Sequence, residues 1–155
     1  MSDTHELADV ARAIIAANSY MTIGTADEDG LPWVSPVWFA PADHREFFWV
    51  SDPDATHSRN IAARPQVSIV IFDSRVPIGT GQAAYMTATA EQLAGAELER
   101  GIEVFSRRSE EHGARPWTTA DIHAPARLRL YRATASRHWV LDPDSPTDRR
   151  ARVTL

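Results

Sequence analysis

Thr56, His57, Ser58, Arg59 and Asn60 carry most of the chemistry this sequence offers. They follow Asp52-Pro53-Asp54 and open a predicted short helix that ends near Arg64-Pro65. Hydroxyls, a guanidinium and unpaired backbone N–H groups then share one helix N-terminus. Those N–H groups point outward and the helix dipole favours an anion, so the place suits a phosphate. His57 adds a donor beside it. The residues just upstream, VSPVWF and FFWVSDPD, bring aromatic rings that can flank a flat ligand. A phosphate next to a flat ring points to a nucleotide-like cofactor. A plainer reading stands beside this one. Ser58 can be a helix cap, Arg59 a solvated surface group, and Trp38, Phe48 and Trp49 barrel core.

What the chain lacks removes other chemistries. All sixteen basic residues are Arg, so a lysine Schiff base is excluded. Cysteine is absent, which removes disulfides, thiolate nucleophiles and Cys-ligated metal sites. The six histidines show no metal spacing, and no metal site is expected. Gly79-Thr80-Gly81 is too short for a dinucleotide fingerprint and reads as a turn. No G-x-S-x-G supports a serine hydrolase. A net charge of -5 argues against a general nucleic-acid binder. With no signal-like N-terminus and no long apolar run, the expected address is cytoplasmic.

The elements that must position these residues follow from periodicity. Over 155 residues a single domain is expected. Residues 3–18 read as an amphipathic helix, with Asp3 and Glu6 as a capping box. Residues 20–26 read as a strand, and Asp27-Glu28-Asp29-Gly30 as a tight turn. Leu31–Ala40 reads as an edge or bulged strand, because Pro32 and Pro36 each remove a ladder donor. Glu46–Ser51 is the next strand. Gln66–Phe72 is apolar enough to be buried on both faces. In the strand Gln82–Gln92, Ala84, Met86, Ala88 and Ala90 share one face. A helix over Gly95–Glu111 follows, then a loop over Gly113–Pro125; the stretch Ser109–Pro125, containing Trp117, is a candidate cover for the site. Leu128–Ala133 and His138–Leu141 close the pattern, and a polar tail covers 142–155. Many short strands with few helices suggest a small β-barrel decorated by helices.

The order strand, turn, Ser-Arg, helix, strand resembles the pyridoxamine 5'-phosphate oxidase-like family of FMN-binding split β-barrels. The run HSRNIAARPQVSIVIF carries the resemblance, with Ser58-Arg59 in the SR position and Asn60 where the family has lysine. It implies a mainly β fold, a six-stranded antiparallel split barrel with peripheral helices. It implies FMN contacts from Ser35, Val37 and Trp38, and from Trp49, Val50 and Ser51. His57, Ser58, Arg59 and Asn60 would lie at the phosphate. Gln82 and Trp139 would complete the site, Gln82 reaching across a homodimer, and Arg149 falls where the family's closing D-R stands. Gln82 can equally satisfy a strand-end backbone group, and Arg149 sits in a run of arginines that is usually solvated. Ser145 and Thr147 occupy the places of the family's substrate Arg and His. The expectation is therefore an FMN-dependent oxidoreductase of unknown substrate, without genuine pyridoxamine 5'-phosphate oxidase activity. Catalytic residues are not assigned. Deazaflavin F420-dependent reductases and haem-binding relatives share the barrel and stand as alternatives.

Overall fold

A computed structural model describes residues 3–155. Its centre is one antiparallel sheet. The strands are β1 (Tyr20–Ala26), β2 (Pro32–Trp38), β3 (Ala40–Ala42), β4 (Glu46–Ser51), β5 (Gln66–Phe72), β6 (Ala83–Gln92), β7 (Arg129–Leu141) and β8 (Arg150–Val153). The helices are α1 (Thr4–Ala17), α2 (Thr56–Ala63) and α3 (Gly95–Glu111), with a 3₁₀ turn at Thr119–Ile122. The strand order is β2-β1-β5-β6-β7-β4-β3, and β8 joins β7 off this path. This is the expected split-barrel class, with eight strands rather than six.

The extra strands have local causes. The chain breaks at Phe39, so Ala40–Ala42 pairs with β4 instead of extending β2. The polar tail carries β8, which pairs with the C-terminal half of β7. The two expected closing strands are a single strand, β7. Its first half pairs with β4 and its second half with β8, while β6 runs along its other edge with a bulge at Thr87/Ala88. A bulge bends a strand, which lets β7 serve both parts of the barrel.

Proline placement follows the reading. Pro32 and Pro36 lie on β2, which pairs only with β1. Gly30 takes a positive φ of 84°, and Asp27 Oδ1 accepts from the N–H of Asp29 and of Leu31. Asp3 caps α1 by accepting from His5 N, without a reciprocal bond from Glu6.

Alternation sets the core. Met21, Ile23, Ile69, Ile71 and Met86 point inward with Phe39, Phe47 and Trp49. Each such side chain contributes roughly 1.5–3 kcal/mol by leaving water. Phe48 and Leu130 face the other way, under Leu98, Ile102 and Phe105 of α3. Leu7 and Ala11 of α1 cover Val140 and Val153. The expectation for Gln66–Phe72 needs correction. Val67, Ile69 and Ile71 are buried, but Gln66, Ser68 and Phe72 are exposed, because no element among the described residues covers their face. Among the described residues, no helix is long and apolar enough to cross a membrane.

Candidate functional site

Strand β4 ends at Ser51, and the Asp52-Pro53-Asp54 turn delivers the chain into α2. Asp52 organises that turn. Its Oδ1 accepts from Asp54 N at 2.9 Å and its carbonyl from Ala55 N at 3.0 Å. Its carboxyl is held below the usual range by the Asp54 N–H and by Arg127, which pairs with it. Ala55 is the N-cap of α2 and has no side chain that can cap, so the first N–H groups of the helix lack a side-chain acceptor.

His57 follows directly. Its Nε2 lies 2.8 Å from Ser51 Oγ. Ser58 donates to Ser51 Oγ at 3.4 Å from the buried side. Burial of His57 disfavours the imidazolium and pushes its pKa below the ordinary 6.5. Asn60 is buried and donates to Thr25 Oγ1 at 3.0 Å, which ties α2 to β1.

Ser51 and His57 open into a cleft of about 610 Å³. Pro36, Val37 and Trp38 of β2, Val50 of β4, and Phe105, Ser109, His112, Arg115 and Trp117 of α3 and the segment after it are among its lining residues. The aromatic wall is interlocked. Phe105 meets Trp38 edge-on at 5.2 Å and Trp117 edge-on at 5.4 Å. His112 stands edge-on to Trp38 at 5.9 Å. The Arg115 guanidinium lies 3.7 Å from the Trp117 ring centroid. The loop is fastened to α3, since Ser109 Oγ donates to Arg115 O at 2.7 Å and Trp117 N donates to Ser106 Oγ at 2.8 Å. The wall thus comes from a structured part of the 109–125 loop. No carboxylate lines this cleft, and Arg115 with two histidines does. Arg115 also pairs with Asp121 at 3.3 Å, so its charge is matched from outside the cleft.

The expected site residues divide into groups. Val37, Trp38, Val50, Ser51 and His57 meet at the cleft. Ser58 sits behind Ser51. Ser35 accepts from Trp33 Nε1 at 3.2 Å and does not line the cleft. Trp49 is fully buried, stacked on Tyr131 at 5.6 Å, and belongs to the barrel core. Its parity on β4 turns it away from the face that Val50 shares. Arg59 donates to Asp54 O at 3.0 Å and lines a separate hollow with Asp27, Glu28 and Asn60. Two carboxylates beside it make that hollow a poor phosphate cradle. Gln82 uses its amide on the strand ends. Nε2 donates to Leu141 O at 2.9 Å, while Oε1 accepts from Leu141 N and Ala83 N. Arg149 shares a hollow with Gln82, and Trp139 lies in register between Tyr85 and Arg152. None of these three lines the cleft within one chain.

His112, Arg115 and Phe105 are the residues that sequence reasoning missed, while Trp117 lies in the loop read from sequence as a cover for the site. Their one signal is the tight Gly113–Trp117 segment at the end of α3, which places an arginine and a tryptophan beside the helix terminus. Among the described residues, no cluster of three or more His, Cys, Asp or Glu side chains can hold a metal ion.

The fold matches solved structures at low identity. A haem-binding protein from Mycobacterium smegmatis superposes with a TM-score of 0.75 at 18% identity, over 99% of this chain and 59% of that one. This chain therefore spans a little over half the length of that protein. HutZ, the haem storage protein of Vibrio cholerae, matches with a TM-score of 0.67 at 19% identity, over 84% of this chain and 90% of that one. Campylobacter jejuni ChuZ matches with a TM-score of 0.72 at 10% identity, over 92% and 58%. No curated protein is a recognisable match to the sequence. The profile of the family described as pyridoxamine 5'-phosphate oxidase matches residues 7–141, and by that match the chain belongs to this family.

Proposed function

We propose that the protein is an FMN-binding flavoprotein, an oxidoreductase working as a homodimer, with the flavin in the cleft between Trp38 and Trp117. The observation that carries this reading is the composition of the cleft: an aromatic and aliphatic wall, no carboxylate, and cationic or donor groups at its polar rim. Trp38, Val37 and Val50 would hold the flat ring. Ser51 and His57 would meet its polar edge. Arg115 and the N–H groups at the start of α2 would take the anionic tail. Bound FMN supplies hydride or electron transfer; the protein supplies binding, orientation and exclusion of water. The Gln82, Trp139 and Arg149 group would serve the partner's site, as the resemblance implies. Exposed Tyr20, Leu31, Trp33 and Val34 on β1, β2 and their turn offer an apolar surface for the second copy.

A second reading is haem binding. His57 and His112 face the same cleft, and either could ligate an iron. Two of the structural relatives are named for haem. An absorption spectrum of the purified protein, with mass spectrometry of the released ligand, separates the two. FMN in the extract supports the flavin reading. A Soret band with bound haem replaces it, and F420 in the extract would keep the site but change the reaction.

A further inference from the structure

A second hollow, of about 350 Å³, lies near the first. Ser58, Gln92 and Tyr131 are among its lining residues, and none of its lining residues lines the aromatic cleft. Between the two hollows runs a short chain of hydrogen bonds. Ser58 Oγ donates to Ser51 Oγ at 3.4 Å, and Ser51 Oγ lies 2.8 Å from His57 Nε2. Both serines are buried.

The direction of the chain is set by the His57 tautomer. Ser51 has one hydroxyl hydrogen. Its oxygen accepts from Ser58, so that hydrogen is free to go to His57 Nε2. A relay that runs from Ser58 to His57 needs Nε2 to carry the lone pair and Nδ1 the ring proton; the second lone pair of Ser51 Oγ is where an Nε2–H would point in the opposite tautomer. No protein group partners Nδ1 among the described residues. Nδ1 is also absent from the sealed, unpartnered polar atoms, which are Trp49 Nε1, Arg108 Nε and Arg132 Nε. It is therefore open, in a residue that lines the cleft. Burial keeps this imidazole neutral at pH 7, ready both to accept and to release a proton.

We propose that Ser58, Ser51 and His57 form a proton relay between the second hollow and the cleft, with His57 as the group that exchanges a proton with the ligand there. The proposal rests on the cleft being the ligand site. In the inward direction, a water in the second hollow gives a proton to Ser58. The Ser58 proton moves to Ser51, the Ser51 proton moves to His57 Nε2, and the Nδ1 proton leaves into the cleft. Each O–H or N–H bond broken is matched by one formed, no electrons change hands, and buffer neutralises the hydroxide left behind. His57 ends with its proton on Nε2. The outward transfer restores the Nδ1 form, so a cycle of one uptake and one release needs no ring rotation. Around His57 stand His112 and Arg115 in the lining of the same cleft, Asp52 with Arg127 and Asp54 with Arg59 in the preceding turn, Arg129 opposite Ser51, and Tyr131 on β7. Tyr131 donates to Gln92 Oε1 at 3.4 Å within the second hollow.

Nitrogen-15 NMR of the histidines, on protein without added cofactor, tests the chain of bonds. His57 is expected as the Nδ1–H tautomer, with an Nε2 shift characteristic of an acceptor. Ser51→Ala and Ser58→Ala should each move the population toward Nε2–H, and Ser51→Thr should keep the native tautomer. A wild-type His57 that is protonated on Nε2 overturns the relay whatever cofactor binds. With FMN bound, Ser58→Ala and His57→Gln should slow the proton-linked reoxidation of reduced flavin by roughly a hundredfold, the low end of a positioned acid–base group. Added imidazole should restore the His57→Gln rate, and FMN affinity should stay unchanged in Ser58→Ala. Unaltered rates in both variants would also overturn the relay. Failure of FMN to bind would sink the flavin reading, while the tautomer would still decide the relay.

Discussion

Asn60 should be a structural tie first, and its loss should be visible without any cofactor. The side chain is 5% exposed and donates to Thr25 Oγ1 at 3.0 Å. Thr25 in turn donates to Trp33 O at 3.4 Å, so this contact links α2, β1 and β2. Asn60→Ala removes one buried hydrogen bond, worth about 0.5–1.5 kcal/mol net, and leaves the Thr25 oxygen without its donor, which adds to the cost. The expected loss is about 2 kcal/mol, or roughly 4–8 °C in Tm for a chain of this size. Asn60→Asp separates this bond from simple packing. A buried carboxylate cannot donate to Thr25, but its protonated form can. The variant carboxyl should therefore titrate above the usual range, and the variant should lose stability as pH rises through that value. Urea unfolding from about pH 5 to 8 measures both effects. An Asn60→Ala cost under about 0.5 kcal/mol, or an Asn60→Asp deficit relative to the wild type that does not grow as pH rises, would refute the reasoning.

Other perturbations test other parts of the account. Burial lowers the pKa of both His57 and His138 from 6.5. The unfolded chain then binds protons first as pH falls, so these residues leave stability intact above about pH 6.5 and erode it below; urea midpoints at about pH 7.5 and 5.5 should show the lower value at the acidic end. A Cβ on Gly101 would lie 2.9 Å from the Phe48 ring and 3.0 Å from Leu130 and Leu93. Gly101→Ala should therefore cost about 1–3 kcal/mol by overpacking, and an unchanged Tm would show that the α3 interface yields freely. Trp33→Glu should convert a dimer to monomer in sedimentation velocity, since Trp33 is 51% exposed beside Val34 at 67%. A variant that sediments as the wild type does would remove this face from the dimer proposal.

Some of this was legible in the sequence. The edge strand was readable because its prolines remove ladder donors. The inward face of β6 was readable because Ala84, Met86, Ala88 and Ala90 alternate with polar residues. The EFFWVS strand hid its faces: apolar residues occupy both, so nothing local separates inward Trp49 from outward Val50. Gln66–Phe72 misled for a similar reason, since an apolar run does not say whether the same chain covers both sides. Ser58-Arg59 marked the helix that borders the cleft, but neither residue lines it. Ser58 turns inward to Ser51, and Arg59 turns outward to Asp54. The rest of the cleft's lining comes from far downstream in the sequence, where the packing of α3 on β4 brings His112 and Arg115 to the same cleft as His57.

Equilibrium binding of FMN to three forms of the protein tests the central claim most directly. The claim is that the cleft of Trp38, Val50, His57 and Arg115 holds the flavin. Quenching of tryptophan emission should report one FMN per chain in the wild type. Arg115→Ala should bind roughly tenfold to a hundredfold more weakly, as befits a charge-assisted contact to a phosphate. Val50→Trp, which fills the cleft, should abolish binding, and Arg59→Ala should leave it unchanged. Tight binding that survives Arg115→Ala and Val50→Trp but fails in Arg59→Ala would move the phosphate to the hollow beside Asp27 and Glu28 and contradict the account.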